Sequence, residues 1–224
     1  MPGADTRFST IVPDELTTRS KALCASQEKP AQGTEMGNSL PSALVVDDEK
    51  EVADAYALRL RGLCDVETVY DGQTAVQTVV EDQFDIVLLD RHMPGMSGDS
   101  VLAELTERGF DGRIVMVTAI DPGFDVLDMP FDEYLCKPIE REDIRQAVTQ
   151  QCTILGYETL GEYFSVESKR QVIAAELPAD ERADHEQYQH QTERAEQLET
   201  RARRLLDESP DLLAAFDDID REGR

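Results

Sequence analysis

The sequence of 224 residues has no tryptophan and only five lysines, although it has seventeen arginines. Lysine is scarce in a chain with 47 acidic residues and a formal net charge of −25. This charge argues against a broad electrostatic attraction to DNA or to anionic membranes. An acidic excess with few lysines favours a protein that works at high internal salt, and an acidic mesophilic protein is the alternative.

Cysteine and long apolar runs are also scarce. The four cysteines are not paired as C-x-x-C, and no histidine lies near them at a zinc-binding spacing. Cys64 and Cys136 lie in or beside apolar runs, which predicts that both are small core residues. No stretch approaches the roughly 20 apolar residues of a membrane span. Since the N-terminus also lacks a signal pattern, we expect a cytoplasmic protein with no membrane partner.

Composition divides the chain into three zones. Residues 1–40 have scattered Pro, Gly, Ser and Thr without periodicity, which predicts a disordered segment. Met36 is an alternative start, because the first structured run begins just after it. Residues 41–150 alternate short apolar runs with helical patterns. Residues 151–224 are rich in Glu, Arg, Gln and Ala and have no strand pattern, which predicts a helical extension.

The middle zone has the alternation of an α/β domain. Its third apolar run contains an unbroken Ile-Val-Leu-Leu core, which predicts a strand buried on both faces. Strands that alternate with helices predict a parallel sheet that helices cover on both faces. The predicted strands are Ala43–Val46, Val66–Tyr70, Phe84–Leu89, Ile114–Thr118 and Glu133–Cys136. The predicted helices are Glu49–Leu63, Gly72–Glu81, Ser97–Arg108 and one that begins over Ile139–Val148.

Chemically useful side chains stand where the predicted strands end. Asp47 and Asp48 end the first strand, Asp90 ends the third, Thr118 the fourth and Lys137 the fifth. Ligands of open α/β sheets bind at this carboxyl edge. Three carboxylates crowded together repel one another unless a cation lies among them, and Mg²⁺ is the expected choice. The set predicts a site for phosphoryl transfer in which Asp90 is the nucleophile.

Four segments resemble the receiver domain of two-component response regulators. They are "ALVVDDEKEVADAYALRLR", "FDIVLLDRHMPGMSG", "RIVMVTAI" and "EYLCKPI", in the family's order over about residues 42–150. The resemblance implies a flavodoxin-like, doubly wound five-stranded parallel sheet of order 2-1-3-4-5. It also implies that Asp90 accepts a phosphoryl group from a sensor histidine kinase. Such a protein is a phospho-accepting switch, not an enzyme, with self-phosphorylation and self-dephosphorylation as its only chemistry.

The same resemblance assigns roles around the acceptor. Asp48 would bind Mg²⁺ directly and Asp47 mainly through water, and Asp90 and the backbone carbonyl of His92 would be further ligands. Lys137, followed by a cis peptide bond, would contact the phosphoryl group. The residues that move when phosphate arrives would be the switch pair, Thr118 and Tyr134.

Three details depart from the family or leave alternatives. The eighteen residues between Thr118 and Lys137 include Pro122, Gly123 and Pro130, which predicts a short or distorted fourth helix. The apolar Ile120 predicts slow self-dephosphorylation. A phosphatase of the haloacid dehalogenase type would need a second Asp two residues after the nucleophile, on the first strand. That position is His92 on the third strand, which argues against this enzyme.

The tail resembles the HalX domain, which follows receivers in halophilic archaea. The similar segment is "YETLGEYFSVESKRQVIAAEL", in which Tyr157, Leu160 and Phe164 share a helical face and after which Pro178 ends the helix. A weaker seam then follows at spacings close to heptads. It consists of Tyr188, Ala195, Leu198, Ala202 and Leu205. A solvated helical hairpin and a coiled coil, which would make a homodimer, both fit this pattern.

The sequence leaves two interpretations of the target on which the tail acts. Signalling to a protein target through the helical extension is the leading interpretation, and the alternative is a transcriptional regulator that binds DNA. The tail has eighteen acidic and nine basic residues, and no helix-turn-helix pattern is identifiable. Its basic cluster, Arg201, Arg203 and Arg204, is interpreted as a solvated helix face.

Overall fold

Five parallel strands form one sheet in the computed structural model, which describes residues 40–119 and 123–206. The strand order β2-β1-β3-β4-β5 confirms the predicted order 2-1-3-4-5. All four pairings are parallel, so the carboxyl ends of the strands lie at one edge. The strands are β1 (Ser42–Val46), β2 (Asp65–Val69), β3 (Ile86–Asp90), β4 (Arg113–Thr118) and β5 (Glu133–Cys136).

Successive side chains of the central strands build two separate cores. Ile86 and Leu88 of β3 belong to one buried cluster, whereas Val87 and Leu89 belong to the other. This follows because side chains of a strand alternate between its faces. Every residue of β3 is buried, as the unbroken apolar run predicts. The sheet is therefore packed against a buried core on each of its two faces.

Helices connect the strands and continue beyond them. Asp71 accepts a hydrogen bond from the backbone N–H of Thr74, and Ser97 from that of Ser100, so both cap helices at their N-termini. The side-chain and backbone bonds from Thr74 lower the pKa of Asp71. The helices are α1 (Lys50–Leu60), α2 (Gly72–Glu81), α3 (Gly98–Glu107), α4 (Arg141–Glu176), α5 (Ala179–Ala183) and α6 (Glu186–Leu205).

The connection between β4 and β5 contains a single 3₁₀ helix, Phe124–Asp128, among its described residues. This confirms the prediction of a short or distorted helix in a segment rich in Pro and Gly. The side chains of Phe124 and Leu127 are exposed there. Ile120, on which the expectation of slow dephosphorylation rests, lies outside the described residues.

Helix α4 continues for 36 residues, a length of about 54 Å. The predicted zone boundary between residues 150 and 151 therefore lies inside one helix. Helix α6 packs along the distal half of α4. Leu160 and Tyr163 of α4 form one buried cluster there with Ala195 and Ala202 of α6. These residues form the predicted hairpin within one chain. Helix α4 ends at Glu176, just before Pro178, as predicted.

One side chain that the patterns assigned to the core is exposed, and one predicted helical face is only partly buried. Cys136 is exposed, whereas Cys64 is buried as predicted. Cys136 lies at the end of β5, an edge strand that pairs only with β4 among the described strands. Tyr157 is also exposed, although Leu160 of the same predicted face is buried, because α6 covers a face of α4 that excludes Tyr157.

The interpretation of the tail arginines as a solvated face is wrong for two of them. Arg201 and Arg204 bind the carboxylate of Asp85, which is buried beside the start of β3. The cause is the return of α6 to the amino edge of the sheet. The segment 1–39 and the apolar residues Leu212, Leu213 and Phe216 lie outside the described residues.

None of the helices within residues 40–119 and 123–206 combines the length and apolar character that crossing a bilayer requires.

Candidate functional site

Two buried carboxylates share one ammonium group at the carboxyl edge of the sheet. Asp47 follows β1, Asp90 is the last residue of β3, and Lys137 follows β5. The Nζ atom of Lys137 lies 2.8 Å from Oδ2 of Asp47 and 2.8 Å from Oδ1 of Asp90. Asp47 is 2% exposed and Asp90 is 6% exposed. The structure thus brings together three predicted site residues that are distant in sequence.

The surroundings of Lys137 favour its protonated form. Burial on its own lowers the pKa of this ammonium, but hydrogen bonds to Asp47 and Asp90, with the attraction of their charges, raise it overall. Lys137 therefore stays protonated at neutral pH. It supplies the cation that two neighbouring carboxylates require if both are to remain ionised.

Main-chain donors orient the other oxygen of each carboxylate. The N–H of Glu49 donates to Oδ1 of Asp47 at 3.0 Å, and the N–H of His92 donates to Oδ2 of Asp90 at 3.0 Å. In both cases the donor lies two residues after the aspartate, as in an Asx turn. Each carboxylate therefore has a fixed orientation, with one oxygen on Lys137 and the other on the backbone.

The side chain of His92 contacts the hydroxyl of Thr118. The Nδ1 atom of His92 lies 3.3 Å from Oγ1 of Thr118, and the Thr118 side chain is buried. The carbonyl of Thr118 also accepts a hydrogen bond from the N–H of Lys137 at 2.6 Å. The sequence placed His92 beside the acceptor but did not indicate this contact, since it depends on how β3 and β4 pair.

Two family models match consecutive parts of the chain. The model of the response regulator receiver domain matches residues 43–149, and that of the HalX domain matches residues 153–222. The chain is a receiver-domain protein with a C-terminal HalX domain. Receiver domains are regulatory switches, and they generally use Mg²⁺ at the phosphorylation site.

Curated relatives that match part of this chain are named as regulators. A Haloferax volcanii protein, provisionally named a transcriptional regulator, is 43% identical over 127 residues, which are 56% of this chain and 22% of that protein. The transcriptional regulatory protein CutR of Streptomyces coelicolor is 38% identical over 99 residues, 42% of this chain and 46% of CutR. The chain therefore spans less than half the length of these relatives.

Solved receiver domains share the fold. The signal receiver domain of a provisionally assigned Luxo repressor from Vibrio parahaemolyticus superposes with a TM-score of 0.53 at 23% identity, covering 55% of this chain and 98% of that one. A CheY-like receiver domain from Methanospirillum hungatei gives 0.51 at 22% identity, covering 54% and 99%. These likenesses concern the fold of the receiver domain.

A glycine brings helix α3 of the receiver domain against the end of β3. A Cβ atom at Gly98 would lie 2.2 Å from the carbonyl oxygen of Asp90 and 2.8 Å from Cα of Arg91. The N–H of Gly98 donates to the carbonyl of Arg91 at 3.0 Å. Only glycine permits this approach. Gly98 was visible in the sequence as the last residue of the segment "MPGMSG", but its contact with β3 could not be assigned without the structure.

The oxygen ligands predicted for Mg²⁺ are not gathered as a set of three carboxylates. Asp48 is exposed, whereas Asp47 and Asp90 are buried on Lys137. Among the described residues, no group of three or more His, Cys, Asp or Glu is close enough to hold a metal ion. The donors nevertheless suit Mg²⁺ chemically, because carboxylate and carbonyl oxygens are the hard ligands it prefers.

The second member of the predicted switch pair lies on β5. Tyr134 is half-buried, and its ring packs against Phe131 with centroids 5.5 Å apart. Tyr134 pairs with Met116 of β4, two residues before Thr118. The two predicted switch residues thus lie on neighbouring strands of the receiver domain. The predicted cis peptide bond between Lys137 and Pro138 is confirmed.

Proposed function

We propose that this chain is a response regulator of a two-component phosphorelay, in which Asp90 accepts a phosphoryl group from a sensor histidine kinase. The observation that carries the proposal is the position of Lys137 Nζ, 2.8 Å from both Asp47 and Asp90. A protonated lysine between two buried aspartates, at the ligand-binding edge of a parallel sheet, suits an incoming phosphoryl group with several negative charges.

The proposed reaction moves one phosphoryl group between two side chains. An oxygen of the Asp90 carboxylate forms a bond to phosphorus as the bond from phosphorus to the kinase imidazole nitrogen breaks, and that nitrogen keeps the electron pair. Lys137 stabilises charge on the phosphoryl oxygens, and the Thr118 hydroxyl donates a hydrogen bond to one of them. Hydrolysis of the resulting acyl phosphate by water returns Asp90, which limits the chemistry to a cycle of labelling and release.

Mg²⁺ is the proposed cofactor of this reaction. Asp47, Asp48, Asp90 and the backbone carbonyl of His92 would hold it, with Asp47 acting mainly through water. When bound, the ion neutralises charge that develops on the phosphoryl oxygens. The exposed position of Asp48 leaves its carboxylate accessible to a cation from solvent.

The proposed switch begins at the contact between His92 and Thr118. A phosphoryl group on Asp90 offers the Thr118 hydroxyl a charged acceptor that competes with its contact to His92, and charged hydrogen bonds are the stronger ones. Thr118 then moves toward the phosphoryl group, and Tyr134 on the neighbouring strand follows. This shifts an equilibrium between two conformations, which the HalX domain passes to its target.

Two targets of the HalX domain are compatible with the described residues. A protein target is the leading proposal, because the chain is strongly acidic and the described tail arginines bind carboxylates. The alternative is DNA, which the names of the curated relatives favour. Binding to DNA would need arginines that this conformation uses for internal contacts.

The test is labelling by a small phosphoryl donor. We expect the chain, incubated with Mg²⁺ and acetyl phosphate in high salt, to gain the mass of one phosphoryl group. Asp90→Asn should gain none, whereas Asp65→Asn, at an exposed aspartate of β2, should be labelled like the wild type. Equal labelling of Asp90→Asn and wild type would refute the proposal. Light scattering on the same samples measures any self-association of the HalX domain.

A further inference from the structure

An arginine at the end of α1 contacts the backbone that connects β5 to α4. Arg59 lies in the last turn of α1, and its Nη1 donates a hydrogen bond to the carbonyl of Ile139. Ile139 follows Lys137 by two residues and comes two residues before the start of α4. The contact therefore joins α1 to the short segment that lies between the ammonium of the site and the long helix.

A second arginine makes the reciprocal contact, from α4 to the end of α1. Nη1 of Arg145 lies 2.9 Å from the carbonyl oxygen of Arg59 and 3.3 Å from that of Arg61. The last carbonyls of a helix lack partners within it, and the helix dipole favours a cation beside them. Arg59 and Arg145 thus connect the same two elements in opposite directions, and we call this pair the arginine clamp.

Packing fixes the direction of the Arg59 side chain. Its Cζ lies 5.5 Å from the centroid of the Tyr56 ring, and Tyr56 is buried. Long side chains of a helix point back toward its N-terminus, which for α1 is the carboxyl edge of the sheet. Tyr56, Ile139 and Ile144 of α4 belong to one buried cluster, so the two helices share a core at the clamp.

Tyr56 also lies close to the site itself. Burial raises the pKa of its phenol, and the positive charges of Lys137 and Arg59 both oppose this rise. The same ring therefore senses the ammonium of the site and the guanidinium of the clamp. The clamp is adjacent to the site, although its hydrogen bonds go to backbone carbonyls.

The position of the Lys137 ammonium depends on its backbone. The ammonium stands on a flexible four-carbon stem, and Lys137 lies just beyond the end of β5. On one side, its N–H donates to the carbonyl of Thr118 at 2.6 Å. On the other side, Arg59 holds the carbonyl of Ile139. The chain is therefore fixed both at Lys137 and two residues after it.

We propose that Arg59 is a positioning residue, which acts through the backbone at Ile139 to keep the Lys137 ammonium between its two carboxylates. The inference rests on the function proposed above, in which that ammonium stabilises charge on a phosphoryl group. A misplacement of about 1 Å can slow a reaction about a hundredfold. A residue of α1 outside the site can therefore govern the rate of phosphoryl transfer.

The position of the ammonium can be measured without phosphorylation. The full-length chain is acylated with N-hydroxysuccinimide acetate at pH 8, and mass spectrometry compares Lys137 with Lys169, an exposed lysine of α4. Arg59→Met should raise the ratio of Lys137 to Lys169 acylation about tenfold, as for the loss of a hydrogen bond from a charged group. Arg59→Lys keeps a charged donor and should raise the ratio less.

Two controls separate positioning from a general loss of stability. Arg61→Met changes an exposed arginine at the same end of α1 and should leave the ratio unchanged. Leu105→Ala weakens the core on the other face of the sheet and should also leave the ratio unchanged in the folded protein. If Arg59→Met does not fold, as judged by its thermal transition, Arg145→Gln opens the other arm of the clamp and should raise the ratio. An unchanged ratio in these folded clamp variants, or an equal rise in Leu105→Ala, would overturn the proposal.

The rate of labelling by acetyl phosphate with Mg²⁺ tests the consequence for the reaction. Arg59→Met should be labelled at least about tenfold more slowly than the wild type, Arg59→Lys at an intermediate rate, and Arg61→Met at the wild-type rate. If the wild type is not labelled, the proposed function fails, and the acylation ratio still decides whether Arg59 positions Lys137. If the wild type and Arg59→Met are labelled equally fast, the positioning role fails while the proposed function stands.

Discussion

Replacement of Lys137 by methionine tests the charge balance of the acceptor site. The substitution keeps the length and the apolar stem but removes the ammonium that lies 2.8 Å from both Asp47 and Asp90. Two carboxylates then face each other in a buried setting without a counter-ion. Removal of one partner from a buried ion pair costs about 3–5 kcal/mol. The lysine side chain is 18% exposed, so we expect a loss of about 2–4 kcal/mol in the free energy of unfolding.

The pH dependence of this loss has a definite sign. In the wild type the pKa of Lys137 is raised above its ordinary value of 10.5, so its stabilising effect is fully present below pH 10.5. That effect disappears as the pH rises through the higher pKa of the folded state. Lys137→Met lacks this stabilising contribution. The difference in the free energy of unfolding between wild type and Lys137→Met should therefore be constant from about pH 7 to pH 10 and shrink above that range.

Urea unfolding at several pH values, followed by circular dichroism, measures the effect. Adding Asp47→Asn to Lys137→Met removes one of the facing charges and should recover part of the lost stability. The matched control is Lys169→Met, which changes a lysine of α4 far from the site. If Lys137→Met is as stable as the control at pH 7, or if Asp47→Asn lowers its stability further, the ammonium does not balance these carboxylates.

Two further outcomes follow from the packing of the receiver domain. Gly98→Ala should destabilise the fold by about 1–3 kcal/mol, the usual cost of overpacking, because its Cβ would collide with the backbone of Asp90; equal melting temperatures would contradict the close approach. A hydrogen bond with a neighbouring thiol and burial both raise the pKa of the Cys64 thiol, so iodoacetamide at pH 8 should label Cys136 and spare Cys64 until urea is added. Peptide mass mapping checks this, and equal labelling of both residues in the folded protein would refute it.

The proposed acceptor site could be predicted because its residues are of characteristic types and stand at the ends of strands that the sequence pattern predicts. The buried run of β3 places Asp90 at one edge of a parallel sheet, and the same rule places Asp47 and Lys137 beside it. The hydrogen bond between His92 and Thr118 could not be foreseen, since it depends on the register of β3 and β4 and on a side-chain rotamer. Cys136 was misassigned because an apolar neighbourhood in sequence does not distinguish an edge strand from a central one.

A local sequence pattern could not predict which residues the tail arginines contact. Arg201 and Asp85 are separated by 116 positions, and they meet only because α4 is unbroken and α6 returns along it. The change of composition near residue 150 indicated a new domain, but helical periodicity continues through it, so α4 belongs to both parts. A pattern of charges on one helix predicts a solvated face until the element that packs against it is known.

The two ends of β3 are each held by cations from distant parts of the chain. Lys137 binds Asp90 at the carboxyl end, while Arg201 and Arg204 bind Asp85 at the amino end. All five residues of β3 are buried, and a close-packed strand resists a change of length. Helix α4 begins four residues after Lys137 and continues into the HalX domain without a break. In the proposed reaction, a shift of Lys137 toward the phosphoryl group would therefore reach the hairpin most directly as a rigid movement of that helix.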